Sequence, residues 1–171
     1  MKDSPSPPIR VMLVDDHTMV RRGLATFLKA FDDLQLAGEA ESGEAAIQLC
    51  AEILPDVILM DIVMPATNGI EACRQIKAVE RYRDIPIIMV TVKTDPVDLQ
   101  LAFAAGAIDY VAKPISKIEI LTRVRCVLRL VHEIERRRAR AQELLEALRP
   151  LPAPNHLPSR PPCPARLPRP P

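Results

Sequence analysis

Four short apolar runs, each about the length of a β-strand, punctuate this chain, and longer stretches with helical spacing separate them. They span residues 9–14 (IRVMLV), 56–60 (DVILM), 85–90 (IPIIMV) and 108–112 (IDYVA). None alternates cleanly between apolar and polar side chains, which is the pattern of strands covered on both faces. A fifth run, residues 34–40, alternates more and fits an edge strand. Helical spacing covers about residues 17–30, 43–53, 69–80, 95–105 and 116–149. Ser42-Gly43-Glu44 and Thr94-Asp95-Pro96 supply helix starts, and Gly106 suits a helix end. Strand and helix alternate five times, so the expected fold is a doubly wound α/β domain: a five-stranded parallel sheet with right-handed crossovers.

The 171 residues suit one domain with a modest appendage, and 48% apolar residues can supply its core. Lys plus Arg (23) almost balances Asp plus Glu (22), so bulk charge does not point to nucleic acid. No run of about 18 apolar residues is present, and the start MKDSPSPPIR lacks a signal-peptide core, so a cytoplasmic, non-membrane protein is expected. Cys50, Cys73, Cys126 and Cys163 form no CxxC pair and read as reduced, mostly buried thiols. Ten of the 18 prolines fall between Pro150 and Pro171, beside three Arg and no acidic residue. That stretch cannot build a core and is expected to be disordered or partly polyproline II, as is the short Pro-rich tail of residues 1–8.

In a doubly wound sheet, ligands bind beyond the carboxyl ends of the strands. The first strand ends in Asp15-Asp16 and the third in Asp61. Three carboxylates at adjacent strand ends repel one another unless a cation holds them, and oxygen-only ligands favour Mg²⁺. The fourth strand ends in Thr91, and the fifth runs into Lys113-Pro114. Carboxylates, a hard cation, an ammonium and a hydroxyl together suit the handling of a phosphoryl group. Neither GxxxxGK[ST] nor GxGxxG occurs, which argues against a bound nucleotide. His17, next to the carboxylates, reads as the start of the first helix rather than as a ligand.

These motifs resemble the receiver domain of bacterial two-component response regulators over about residues 9–130. The resemblance rests on Val14-Asp15-Asp16, on MDIVMP from Met60 to Pro65 with Gly69 beyond it, on Thr91, and on DYVAKP from Asp109 to Pro114. It implies a flavodoxin-like fold in which Asp61 is the phosphoacceptor. It further implies that Asp15, Asp16, Asp61 and the backbone carbonyl of Val63 hold Mg²⁺. Thr91 and Lys113 would contact the phosphoryl oxygens, Tyr110 would turn inward when Thr91 moves, and the Lys113-Pro114 peptide would be cis. The implied partner is a sensor histidine kinase, and the implied activity is that of a switch, not of an enzyme with a separate substrate. Val92 stands where the family commonly has a small residue, and its bulk is expected to slow phosphoryl transfer or hydrolysis.

The last helical pattern runs past residue 130. Ile120, Val124, Val127, Val131, Ile134, Arg138, Ala141, Leu145 and Leu148 follow alternating steps of four and three, a heptad seam interrupted by Arg138. Residues 131–149 are therefore expected to form a coiled-coil extension and to make the protein a homodimer. It resembles the stalk of receiver–diguanylate cyclase regulators, although no GGDEF-like motif is present. Arg136-Arg137-Arg138 and Arg140 lie among glutamates with no helix-turn-helix after them, so nucleic-acid contact is not expected. Two other functions compete with the switch. A Mg²⁺-dependent phosphatase with an Asp nucleophile normally needs a second Asp two residues on, where this chain has Val63. A stand-alone coiled-coil scaffold leaves the strand-end carboxylates without a purpose.

Overall fold

The computed structural model describes residues 7–92 and 95–148. The proline-rich stretch from Pro150, Cys163, Thr94 and residues 1–6 of the N-terminal tail lie outside the described residues. Strands β1 (Ile9–Val14), β2 (Leu34–Ala40), β3 (Val57–Met60), β4 (Ile87–Thr91) and β5 (Asp109–Ala112) form one sheet in the order β2-β1-β3-β4-β5. Every neighbouring pair is parallel. Helices α1 (Thr18–Leu28), α2 (Gly43–Ile53), α3 (Gly69–Ala78), α4 (Pro96–Ala104) and α5 (Lys117–Ala147) follow the strands in turn.

The unbroken apolar strands are explained by the two cores they serve. Met12, Val14, Ile58, Met60, Ile87 and Met89 face Ala46, Cys50, Cys73, Ile76 and Ala102 of α2, α3 and α4. Their alternate neighbours Val11, Leu13, Val57, Leu59, Ile88 and Val90 face Leu24 and Leu28 of α1 and Ile120, Val124 and Val127 of α5. Successive side chains on a strand point to opposite faces, so a strand covered on both sides has no polar positions to spare. β2 lies at an edge, as its alternation implies. β5 lies at the other edge, and only Val111 of its four residues is buried, so the expectation of a strand covered on both faces does not hold for it.

Several boundaries move by one or two residues. α3 ends at Ala78 because Val79 leaves the helix with extended backbone (φ −88°, ψ 121°) and a 3₁₀ turn, Glu80–Tyr82, follows. β4 starts at Ile87, after Pro86, which has no N–H for the ladder. Ser42, Asn68 and Asp95 cap α2, α3 and α4 by accepting the amides of Ala45, Glu71 and Val97. Cys50 and Cys73 are buried free thiols, as expected of most of the cysteines, whereas Cys126 is free but exposed on α5. Its helical spacing places it on the side of α5 away from the sheet.

The proposed heptad seam divides in two. Ile120, Val124 and Val127 are at most 5% exposed and belong to the domain's own core, so the first third of the seam is not open for pairing. A helix laid on a sheet buries the same four-and-three stripe as a coiled coil, which is why the sequence does not separate them. The described residues up to Glu135 form one compact unit. From Arg136 to Leu148 every described residue is exposed, with Leu145 at 70% and Leu148 at 78%. Among the described residues no helix is long and apolar enough to cross a membrane.

Candidate functional site

The strand order reverses between β1, which leads to β2 on one side, and β3, which lies on its other side. Their carboxyl ends therefore border the crevice where such sheets bind ligands. Asp61 follows β3 directly, and its amide donates to Val14 O at 2.8 Å, which ties it to the end of β1. Asp15 follows β1, with its amide on Ala40 O of β2 at 3.2 Å. Both carboxylates are buried, at 2% and 3% exposure. Gly69 closes the loop after Asp61: a Cβ there would lie 1.9 Å from the Asp61 carbonyl, so only glycine fits.

Lys113 enters from the end of β5, where its amide donates to Thr91 O of β4 at 2.9 Å. Its ammonium donates to Asp15 Oδ2 at 2.6 Å and to Asp61 Oδ2 at 2.8 Å. The Lys113-Pro114 peptide is cis, as the resemblance implies. Burial alone would push the Lys113 ammonium down. Its hydrogen bonds to Asp15 and Asp61, together with their charges, outweigh that and leave its pKa raised.

The remaining carboxylate oxygens are held less evenly. Asp15 Oδ1 accepts the His17 amide at 2.8 Å, and Asp61 Oδ1 accepts the Val63 amide at 3.2 Å. Asp16 Oδ1 is buried with no hydrogen-bond partner, and His17 Nδ1 lies 2.8 Å from it. Asp15, Asp16, His17 and Asp61 each offer a ligand atom, and these atoms lie within 4.8 Å of one another. At that spacing two carboxylates repel by about 3 kcal/mol or more at an effective dielectric near 20. One ammonium cannot neutralise three carboxylates. The orphaned Asp16 oxygen and the largely oxygen donor set thus fit a small hard cation such as Mg²⁺.

The structure brings Asp15, Asp16, Asp61 and Lys113 together. Thr91 is fully buried at the end of β4, paired in register with Ala112. Tyr110 is half-buried on β5, its ring edge-on to Phe103 of α4 with centroids 6.3 Å apart. Val63 is exposed at 41%, and Val92 at 66%. His17 precedes α1, as expected, and its imidazole borders the carboxylates. One residue near the site has no counterpart in the sequence pattern. Arg21 of α1 donates to Asp15 O at 2.6 Å and pairs with Glu39 at 3.4 Å, bracing the β1–α1 turn. Nothing in the spacing of a helical arginine marks it for a backbone carbonyl six residues earlier.

The family model of the response regulator receiver domain matches residues 11–125. Transcriptional regulatory protein LiaR of Bacillus subtilis (strain 168) is 44% identical over 117 residues, 68% of this chain and 54% of LiaR. Response regulator GacA of Pseudomonas viridiflava is 41% identical over 120 residues, 70% of this chain and 55% of GacA. The chain thus spans about half the length of the curated relatives it matches. Among solved structures, the response regulator domain of Thermotoga maritima CheB superposes with a TM-score of 0.65 at 32% identity, covering 71% of this chain and 97% of that domain. The chain therefore belongs to the response regulator receiver domain family of two-component systems.

Proposed function

We propose that Asp61 accepts a phosphoryl group from the phosphohistidine of a sensor histidine kinase. Response regulators are phosphorylated by such kinases, and the observation that carries the reading here is the shared ammonium. Lys113 bridges the buried carboxylates of Asp15 and Asp61, beside an Asp16 oxygen with no hydrogen-bond partner. A carboxylate oxygen of Asp61 attacks phosphorus, the bond from phosphorus to the donor imidazole nitrogen breaks, and an aspartyl phosphate remains. Asp15, Asp16, Asp61 and the Val63 carbonyl would hold Mg²⁺. Bound there, the ion supplies positive charge against the phosphoryl oxygens. Lys113 adds an ammonium to those oxygens, and Thr91 adds a hydroxyl donor.

Water later cleaves the acyl phosphate, so the chain turns over only its own modification. The new charge of about −1.5 to −2 draws Thr91 and Lys113 toward it and favours Tyr110 turning inward from its contact with Phe103. The output is a change in self-association. Val131, Ile134, Leu145 and Leu148 pair with a second copy along α5, and Ile134, Leu145 and Leu148 are 38%, 70% and 78% exposed. Exposure to Mg²⁺ and acetyl phosphate tests the reading. The added phosphoryl group is expected to map to Asp61, and mapping to any other residue would overturn it.

A further inference from the structure

The loop from Asp61 to α3 is fastened at both ends and at its tip. At its base, Gly69 packs on the Asp61 carbonyl, and its amide donates to Ile62 O at 3.0 Å. At its tip, Ala66 holds a left-handed backbone conformation (φ 59°), uncommon for a residue with a Cβ. The next residue, Thr67, is gripped by the start of α2. Its amide donates to Glu44 Oε1 at 3.1 Å, and its hydroxyl donates to the same oxygen. Beneath it, Gly43 leaves no room: a Cβ there would lie 2.5 Å from the Thr67 carbonyl. Glu44 itself sits in the first turn of α2, where the helix dipole favours an anion. The Thr67 hydroxyl, foremost, holds the Glu44 carboxyl below its ordinary value.

This grip joins two strand-end segments that the sheet does not connect. The loop it fixes begins at Asp61 and contains Val63, whose amide already orients Asp61 Oδ1 at 3.2 Å. We propose that Glu44 is a positioning residue for the cation site: by clamping Thr67 it holds the Asp61–Gly69 loop so that Asp61 and the Val63 backbone stay in place to bind Mg²⁺. The proposal rests on the phosphoacceptor reading. It assigns Glu44 no contact with the ion or the phosphoryl group. Outer partners of metal ligands typically tune affinity about ten- to a hundredfold without changing what the ligands do once filled.

Mg²⁺ binding to the unphosphorylated full chain, measured by titration calorimetry, is the primary test, with phosphorylation by acetyl phosphate as a second readout. Glu44→Ala is expected to weaken Mg²⁺ binding about tenfold. It should raise the Mg²⁺ needed for half-maximal phosphorylation by the same factor, leaving the rate at saturating Mg²⁺ close to wild type. Glu44→Gln, which keeps the acceptor oxygen but not the charge, is expected to recover most of the affinity. Thr67→Val is expected to lose part of it, and the Glu44→Ala/Thr67→Val pair to be no worse than Glu44→Ala alone. Unchanged affinity in both Glu44→Ala and Thr67→Val overturns the clamp. So does failure of Glu44→Gln to recover affinity, because the effect would then be one of charge alone. If Glu44→Ala does not fold, Glu44→Gln and Thr67→Val decide the matter by themselves. A wild-type chain that does not bind Mg²⁺ would sink the phosphoacceptor reading as well, whereas normal wild-type binding with indifferent variants sinks only the clamp.

Discussion

Lys113 Nζ lies 2.8 Å from Asp61 Oδ2 and 2.6 Å from Asp15 Oδ2, so one ammonium serves two buried carboxylates from different strand ends. Under the proposed function, a phosphoryl group arriving on Asp61 would compete for that ammonium, and the contact that holds the two carboxylates would then register phosphorylation.

Lys113→Ala is expected to keep the fold, at a cost of about 3–5 kcal/mol from leaving the two buried carboxylates without their cation. Mg²⁺ is expected to restore part of the loss. Phosphorylated Lys113→Ala should fail to show the conformational response of the wild type, which amide exchange across β4 and β5 would report. The raised pKa of Lys113 means that its contribution is complete below its ordinary value of 10.5 and disappears as pH rises through the higher folded value.

Asp16→Ala removes an oxygen that has no hydrogen bond and lies within 4.8 Å of the Asp15 and Asp61 carboxylates, which repel it. The variant is expected to melt at the same temperature as wild type or higher in EDTA, yet to gain nothing from Mg²⁺ and accept no phosphoryl group. Thermal melts with and without Mg²⁺ check this. A strong loss of stability in EDTA would instead make Asp16 a structural residue.

The two parts of the α5 stripe are expected to answer differently to the same change. Val124 is fully buried in the domain core, so Val124→Asp should unfold the domain, at a cost of several kcal/mol for a buried charge. Ile134 is 38% exposed, so Ile134→Asp should leave the melting temperature nearly unchanged while abolishing self-association. Sedimentation with a beryllium fluoride phosphate mimic tests the second half. A wild-type chain that stays monomeric with the mimic bound contradicts pairing through α5.

Burial pushes the Cys73 thiol up from 9.0 to about 11, with Lys77 and Arg74 opposing weakly. The folded state keeps this proton while the unfolded chain loses it, so stability should fall as pH rises from about 9 toward about 11. Cys73→Ala removes that component. Its stability is expected to fall less steeply than wild type over this interval, by up to about 1.4 kcal/mol per pH unit. Urea titrations at several pH values measure the difference, and parallel slopes would contradict it.

The strand-end positions of Asp15, Asp61, Thr91 and Lys113 were legible because each ends a run whose type and length the sequence declares, and parallel strands carry their ends to one edge. Features that depend on contacts between loops were not legible. Glu44 and Thr67 are 23 positions apart with no shared periodicity, and nothing local marks either as the other's partner. Arg21 carries the spacing of an ordinary exposed helical residue and turns instead to the Asp15 carbonyl. The division of the α5 stripe was hidden for a simple reason. An apolar pattern reports that a residue is covered, and stays silent on whether a helix, a strand or a second copy covers it.

Asp61 alone is expected to take the phosphoryl group, and one measurement tests this most directly. Wild type and Asp61→Asn are incubated with Mg²⁺ and acetyl phosphate, and their intact masses are compared before and after hydroxylamine. Wild type is expected to gain one phosphoryl group and lose it to hydroxylamine, as an acyl phosphate does, while Asp61→Asn gains none. A phosphoryl group that appears on Asp61→Asn at the wild-type level, or that resists hydroxylamine, would contradict the account.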